Sequence, residues 1–152
     1  MISILFVCLG NICRSPMAEF LMKDLVRKAG LEKDFYIASA AISDEESGNS
    51  VYPPIRRLLE QRGISCAGKT AVQLRRSDYA RYDYIIGMDA QNRRAMLSLF
   101  GGDPEGKLSL LLDHTGHPRD VADPWYTRDF TAAERDIDAG CRALLQKLQQ
   151  NL

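Results

Sequence analysis

The chain has 152 residues, of which 45% are hydrophobic and 26% charged, with 20 Lys+Arg against 20 Asp+Glu. That is long enough to bury a proper core and fits one domain, residues 1–152. A formal net charge of zero offers no broad attraction to DNA, RNA or anionic membrane, so neither nucleic acid nor membrane is expected as a partner.

In chain order, the apolar start Ile2–Val7 is too short to span a membrane and lacks the flanks of a secretory signal, which points to the cytoplasm. It reads instead as a central strand covered on both faces. Ser15 and Pro16 read as the N-cap and first position of a helix. Ala18, Leu21, Met22, Leu25 and Ala29 mark its apolar face and Gly30 its stop. A second strand is predicted over Phe35–Ala41, then a polar loop from Ser43 to Tyr52. Pro53 and Pro54 open a helix that ends at Gly63, with a short strand predicted around Ile64–Cys66. Ser77 is placed to cap a brief helix before a strand at Tyr84–Met88. Asp89 caps another helix, which stops at Gly101 and Gly102. The last strand is predicted over Lys107–Leu112, followed by a long loop from Asp113 to Phe130. Thr131 with Glu134 has the spacing of a capping box, and Ile137, Cys141, Leu144, Leu145 and Leu148 form the final helix's buried stripe. Strands alternating with helices imply an α/β class: one doubly wound domain, a four-stranded parallel sheet with helices on both faces, flavodoxin-like.

The loop between the first strand and first helix, Cys8-Leu9-Gly10-Asn11-Ile12-Cys13-Arg14-Ser15, carries the chemistry. Ligands of such folds bind at the carboxyl ends of the strands, and a helix N-terminus there favours an anion. Five residues curled between Cys8 and Arg14 can aim successive amides inward as an anion nest, Gly10 permitting the backbone angles. Arg14 adds a two-pronged donor matched to phosphate oxygens. The same fields would hold Cys8 as a thiolate nucleophile, with Ser15 donating a hydroxyl hydrogen bond to the sulfur and Asn11 bracing the loop. The alternative, a buried strand-end cysteine before an ordinary helix start, suits a lone cysteine better than this constellation. The four cysteines, Cys8, Cys13, Cys66 and Cys141, follow no disulfide or zinc spacing and are expected as free thiols. Further on, Asp123-Pro124 is either a simple turn former or a functional acid. Trp125 and Tyr126, aromatic in a polar loop, suit a pocket wall for a flat ring, with core packing the alternative for Trp125.

A cysteine, five residues, an arginine and a Ser or Thr form a known phosphatase signature. With Ser39-Ala40-Ala41, the run from Tyr84 to Asp89 and the run from Asp123 to Tyr126, the chain resembles the low-molecular-weight protein tyrosine phosphatase family over nearly its whole length. The resemblance implies a cysteine-dependent phosphatase. Cys8 attacks phosphorus, Asp123 protonates the leaving oxygen and then activates water, and Arg14 with the loop amides of residues 9–15 holds the equatorial oxygens. It implies no metal or cofactor. The substrate is a phosphotyrosine-containing protein or small aryl phosphate, and the protein a monomer or weak dimer. Cys13 becomes a reversible disulfide partner for Cys8, although a space-filling thiol fits the residues equally well. Ile12, Glu45, Glu46, Trp125 and Tyr126 form the pocket rim. Two departures stand out: acids at 44–46 where better-known eukaryotic members present an aromatic residue, and Gly68 where such members have a bracing histidine.

Other readings compete. Gly63–Thr70 matches the Walker A pattern, but Gly63 ends a helix and no long helix follows Thr70. Asp113, His114, His117, Asp120 and Asp123 resemble a metal set broken by Gly116 and Pro118. Arsenate reductases of this fold need a downstream cysteine pair, which the separated Cys66 and Cys141 do not supply. Protein arginine phosphatases share Gly48-Asn49 and Tyr52-Pro53-Pro54 but tend to carry threonine where Ile12 stands, so a phosphoarginine substrate is the main alternative. A non-catalytic phosphate-binding module is disfavoured because every residue the chemistry needs is present.

Overall fold

The computed structural model describes residues 1–152. Its centre is strand β1, Ile2–Cys8, where side chains alternate between two layers. Ile4, Phe6 and Cys8 face a core shared with α1, Arg14–Lys28, while Leu5 and Val7 face a second cluster on the opposite side. Both faces are covered, which is why the strand reads as a continuous apolar run. Strand β2, Phe35–Ala41, pairs parallel with β1 so that Cys8 lies opposite Ala41. Helix α2, Pro53–Gln61, starts on its prolines and turns off at Gly63, whose φ is +76°. A four-residue helix α3, Asp78–Arg81, leads into β3, Tyr84–Gly87, which pairs parallel with the other side of β1.

Helix α4, Ala90–Phe100, is capped by Asp89, which accepts from the Asn92 amide at 2.8 Å, and ends at Gly101 with φ +72°. β4, Leu108–Leu110, completes a parallel sheet of order β2-β1-β3-β4. The chain runs from β1 outward to β2, then returns to β3. The crevice this reversal opens lies at the carboxyl end of β1, where the loop 9–13 begins. Helix α5, Pro124–Thr127, and the long α6, Phe130–Gln149, follow. Ile137, Cys141, Leu144, Leu145 and Leu148 of α6 join Met17, Leu21 and Met22 of α1 in the larger core. Burying each such side chain stabilises the fold by about 1.5–3 kcal/mol. Tyr79 and Leu97 pack on the opposite cluster, so helices lie on both faces.

Several local expectations change. No strand forms at Ile64–Cys66: the two side chains are buried, but Gly68, at φ +86°, turns the chain before it can run along a neighbour. What pairing there is reduces to single bridges, Ser50 with Thr70 and Ala41 with Gln73. β4 is cut short because Asp113 accepts from the Leu110 amide at 2.9 Å, winding Leu111–His114 into a 3₁₀ turn. A further 3₁₀ turn spans Glu32–Asp34. The final helix starts earlier than the capping-box spacing indicates. Asp129 is the N-cap, accepting from the Ala132 amide at 3.0 Å, so Thr131 lies inside the helix and Glu134 pairs with Arg62 instead. The long loop 113–130 is interrupted by α5, whose cap is the Asp123 carboxylate on the Trp125 amide.

Candidate active site

Helix α1 also begins two residues earlier than expected. Cys13 occupies the cap position without a side-chain hydrogen bond, and Ser15 is inside the first turn. Its hydroxyl is therefore free of capping and lies 2.9 Å from Cys8 Sγ. The loop between them is held from outside. The carbonyls of Cys8, Leu9 and Ile12 accept from the amides of Ile42, Ser43 and Tyr52 at 2.9–3.0 Å, so the peptide units present their N–H groups inward. The amides of Asn11 and Ser15 converge on Cys8 Sγ at 3.3 and 3.4 Å, while those of Gly10, Ile12 and Cys13 meet no acceptor in the protein. This is an anion nest at a helix N-terminus. Asn11 takes φ +58° to close it, a left-handed conformation that asparagine tolerates better than most residues.

The direction of the Ser15–Cys8 bond follows from its neighbours. Asn11 Oδ1 accepts from the Val72 amide at 3.2 Å, which turns Asn11 Nδ2 towards Ser15 Oγ at 2.7 Å and Ser39 Oγ at 2.9 Å. Ser15 Oγ, already an acceptor, has its proton left for the sulfur. Ser39 in turn donates to Glu19 at 2.6 Å, and Lys69 donates to the Ser39 carbonyl at 3.0 Å while lying 3.6 Å from Glu19. Burial pulls the Lys69 amine below its usual range, and Glu19 works against that pull.

Arg14 is 2% exposed. Its Nη1 donates to Asp89 at 2.7 Å and to the Val121 carbonyl at 2.8 Å, and its Nη2 to Asp123 at 3.4 Å. Burial works against the guanidinium charge, but Cys8, Asp89 and Asp123 outweigh it and raise its pKa, so the cation is permanent. Asp123 is positioned by its other oxygen, which accepts from the Trp125 amide at 3.0 Å. The Cys13 thiol is pushed up to about 12, chiefly by burial and then by Cys8 and Asp123. Near neutral pH it is a thiol.

These groups surround a pocket of about 160 Å³. Cys8, Leu9, Gly10, Ile12, Cys13, Arg14, Glu45, Glu46, Asp123, Trp125 and Tyr126 line it, together with Ser43; Asn11 and Ser15 lie beneath the floor. Trp125 is not core. It is 43% exposed, its ring tilted against Tyr52 with centroids 4.9 Å apart, and Tyr126 is more open still.

The rival sites have other occupations. Lys69 of the Walker-like segment points to Ser39 and Glu19, and Thr70 enters an isolated bridge rather than a helix. The lysine next to Gly68 thus joins the Ser39–Glu19 end of the network, which reaches the loop through Asn11. Of the imagined metal set, His114 Nε2 meets Ser109, Asp120 accepts from Ala90, and Asp113 closes its own turn. Cys66 and Cys141 are separately buried free thiols. Sequence reasoning missed Asp89 as the partner of Arg14, having read it as a helix cap, and missed Glu19, Ser39, Lys69 and Tyr52. A usable signal existed for Glu19: it stands four residues after Ser15 and three before Met22, on the buried face of α1.

Known proteins converge on the same identification. A family model described as "Low molecular weight phosphotyrosine protein phosphatase" matches residues 3–152. The low molecular weight protein-tyrosine-phosphatase YfkJ of Bacillus subtilis is 41% identical over 152 residues, covering 99% of this chain and 97% of that protein. Its crystal structure superposes with a TM-score of 0.96 at 42% identity, covering 99% of this chain and 96% of the other. The structure of DARP, a Drosophila arginine phosphatase, gives a TM-score of 0.86 at 31% identity, covering 95% and 96% of the two chains. The chain belongs to the low molecular weight phosphotyrosine protein phosphatase family.

Proposed function

We propose that this protein hydrolyses phosphotyrosine monoesters through a phosphocysteine intermediate on Cys8. The observation that carries this reading is the sulfur's environment: one hydroxyl and two amides within 3.4 Å, beside a buried guanidinium. Donors aimed at a sulfur favour its anion, which is the attacking form. Phosphate oxygens would take the loop amides and the Arg14 fork while Cys8 Sγ bonds to phosphorus and the P–O bond to the ring breaks. Asp123 delivers its proton to the departing phenol oxygen, then takes one from the water that splits the S–P bond. Residues 1–152 would act as one domain, in the cytoplasm, as a monomer or weak dimer. Supporting the compartment are four cysteines that are all free thiols. Burst release of p-nitrophenol from p-nitrophenyl phosphate tests the mechanism: one equivalent per enzyme is expected, and none from Cys8→Ser. A full burst from that variant would sink it.

A second reading, phosphoarginine hydrolysis, draws on the arginine phosphatase of the same fold. Ile12 favours the first. It lines the pocket as an apolar wall, suited to an aromatic ring rather than a guanidinium. Parallel assays should show phosphotyrosine preferred by the wild type and a shift towards phosphoarginine in Ile12→Thr. Wild-type preference for phosphoarginine would reverse the assignment.

A further inference from the structure

We propose that Glu45 and Glu46 select, among phosphotyrosyl substrates, those carrying a lysine or arginine beside the phosphotyrosine; this rests on the phosphotyrosine reading above. Both carboxylate-bearing residues line the same pocket as Cys8 and Arg14, so a substrate ring must pass them. Their loop is not loose. Ser43 binds the Leu9 carbonyl of the phosphate cradle through its amide, and its hydroxyl accepts from the Glu45 amide at 3.0 Å. Asn49 donates to Glu46 at 2.6 Å, and Glu46 Cγ would stand 3.4 Å from a Cβ at Gly10. The loop, and the Glu46 side chain with it, is therefore held over the cradle's edge.

Neither has a cationic partner: the ion pairs of the protein include no residue of the 44–46 loop. Trp125 and Tyr126 line the same pocket. The base beyond them, Arg128, is committed to the Tyr52 hydroxyl at 3.0 Å, and Asp129 caps α6. Two uncompensated carboxylates at the mouth of a pocket that receives a phosphate dianion are a liability for any small aryl phosphate, since like charges repel. A basic side chain next to the phosphotyrosine turns that repulsion into attraction. The rim thus discriminates by penalising substrates without a base as well as by rewarding those with one. Being at the surface, the effect is modest and salt-dependent.

The test uses three phosphotyrosyl peptides of equal length whose flanking residues are lysine, alanine or glutamate, with p-nitrophenyl phosphate as a flankless control. At low salt the wild type should favour the lysine over the glutamate peptide by about tenfold in kcat/KM, with alanine between, as two rim pairs allow. High salt should compress the series. The variant Glu45→Gln/Glu46→Gln should treat the three peptides alike and show a lower KM for p-nitrophenyl phosphate. Equal wild-type rates on all three peptides, or a preference that survives in the variant, overturns the inference while leaving phosphotyrosine hydrolysis standing. Failure to hydrolyse any of the four substrates removes the reading beneath it.

Discussion

Ser15 presents its proton to Cys8 because Asn11 already occupies the acceptor side of the same oxygen, and Asn11 is oriented by the Val72 amide. A hydrogen bond to a charged acceptor is worth about 1.5–3 kcal/mol, roughly one to two decades in a rate that depends on the thiolate. Ser15→Ala should therefore slow alkylation of Cys8 by iodoacetamide near neutral pH at least tenfold. It should also lower kcat for p-nitrophenyl phosphate more than it alters KM. Unchanged alkylation would show that the hydroxyl is only a packing group. Beyond Asn11 and Ser15, only Glu19 carried a signal in the residues, through its place on the apolar face of α1. Ser39 and Lys69 are ordinary strand and loop residues until α1 and β2 are packed together, and a lysine in a Walker-like string points the reader towards a nucleotide.

Among the elements, α6 crosses the turn after β4 with no room to spare. A Cβ at Gly140 would lie 2.5 Å from Leu111 Cγ, the branch point of a side chain that is itself fully buried. Glycine costs a helix interior about 1 kcal/mol relative to alanine, so Gly140→Ala brings a propensity gain. Against it stands an overpacking cost of about 1–3 kcal/mol, and a clash with a branch point cannot be relieved by a swinging methyl. The clash wins, and thermal unfolding of Gly140→Ala should occur several degrees lower. Adding Leu111→Ala should remove part of the penalty, so that the two changes are less than additive. A more stable single variant would mean that the crossing relaxes freely. The capping signals of this helix were misread for a related reason. Both Asp129 and Thr131 are acceptable caps in sequence, and the left-handed Arg128 that ends α5, at φ +61°, leaves Asp129 as the last non-helical residue before α6.

At the scale of the whole molecule, stability should depend on pH through His114. Burial first, and then Lys147, hold its imidazole below the ordinary range. The folded protein thus resists protonation that the unfolded chain accepts near pH 6.5. Between that value and the lower folded one the unfolded state binds more protons, so stability is complete above about pH 6.5 and falls as the medium is acidified. Urea midpoints measured at pH 7.5 and 5.5 should drop further for the wild type than for His114→Gln. Equal drops would assign the acid sensitivity to other groups.

Period and punctuation sufficed for what depends on neighbours along the chain. The doubly wound α/β class, most strands and helices, and the cradle from Cys8 to Ser15 are local: a strand, five loop residues and a helix start meet wherever the rest of the protein goes. Asp123 was reached through resemblance, because nothing near it in sequence separates an acid from a turn. Tertiary structure alone brought Asp89, Val121 and Asp123 onto one guanidinium and carried the local Cys8–Ser15–Asn11 contacts on to Ser39, Glu19 and Lys69, across β2, α1 and the loop after α2. Those later partners are tens of residues apart, and a buried polar atom takes whichever partner the packing of the sheet delivers to it, a choice that no local pattern encodes.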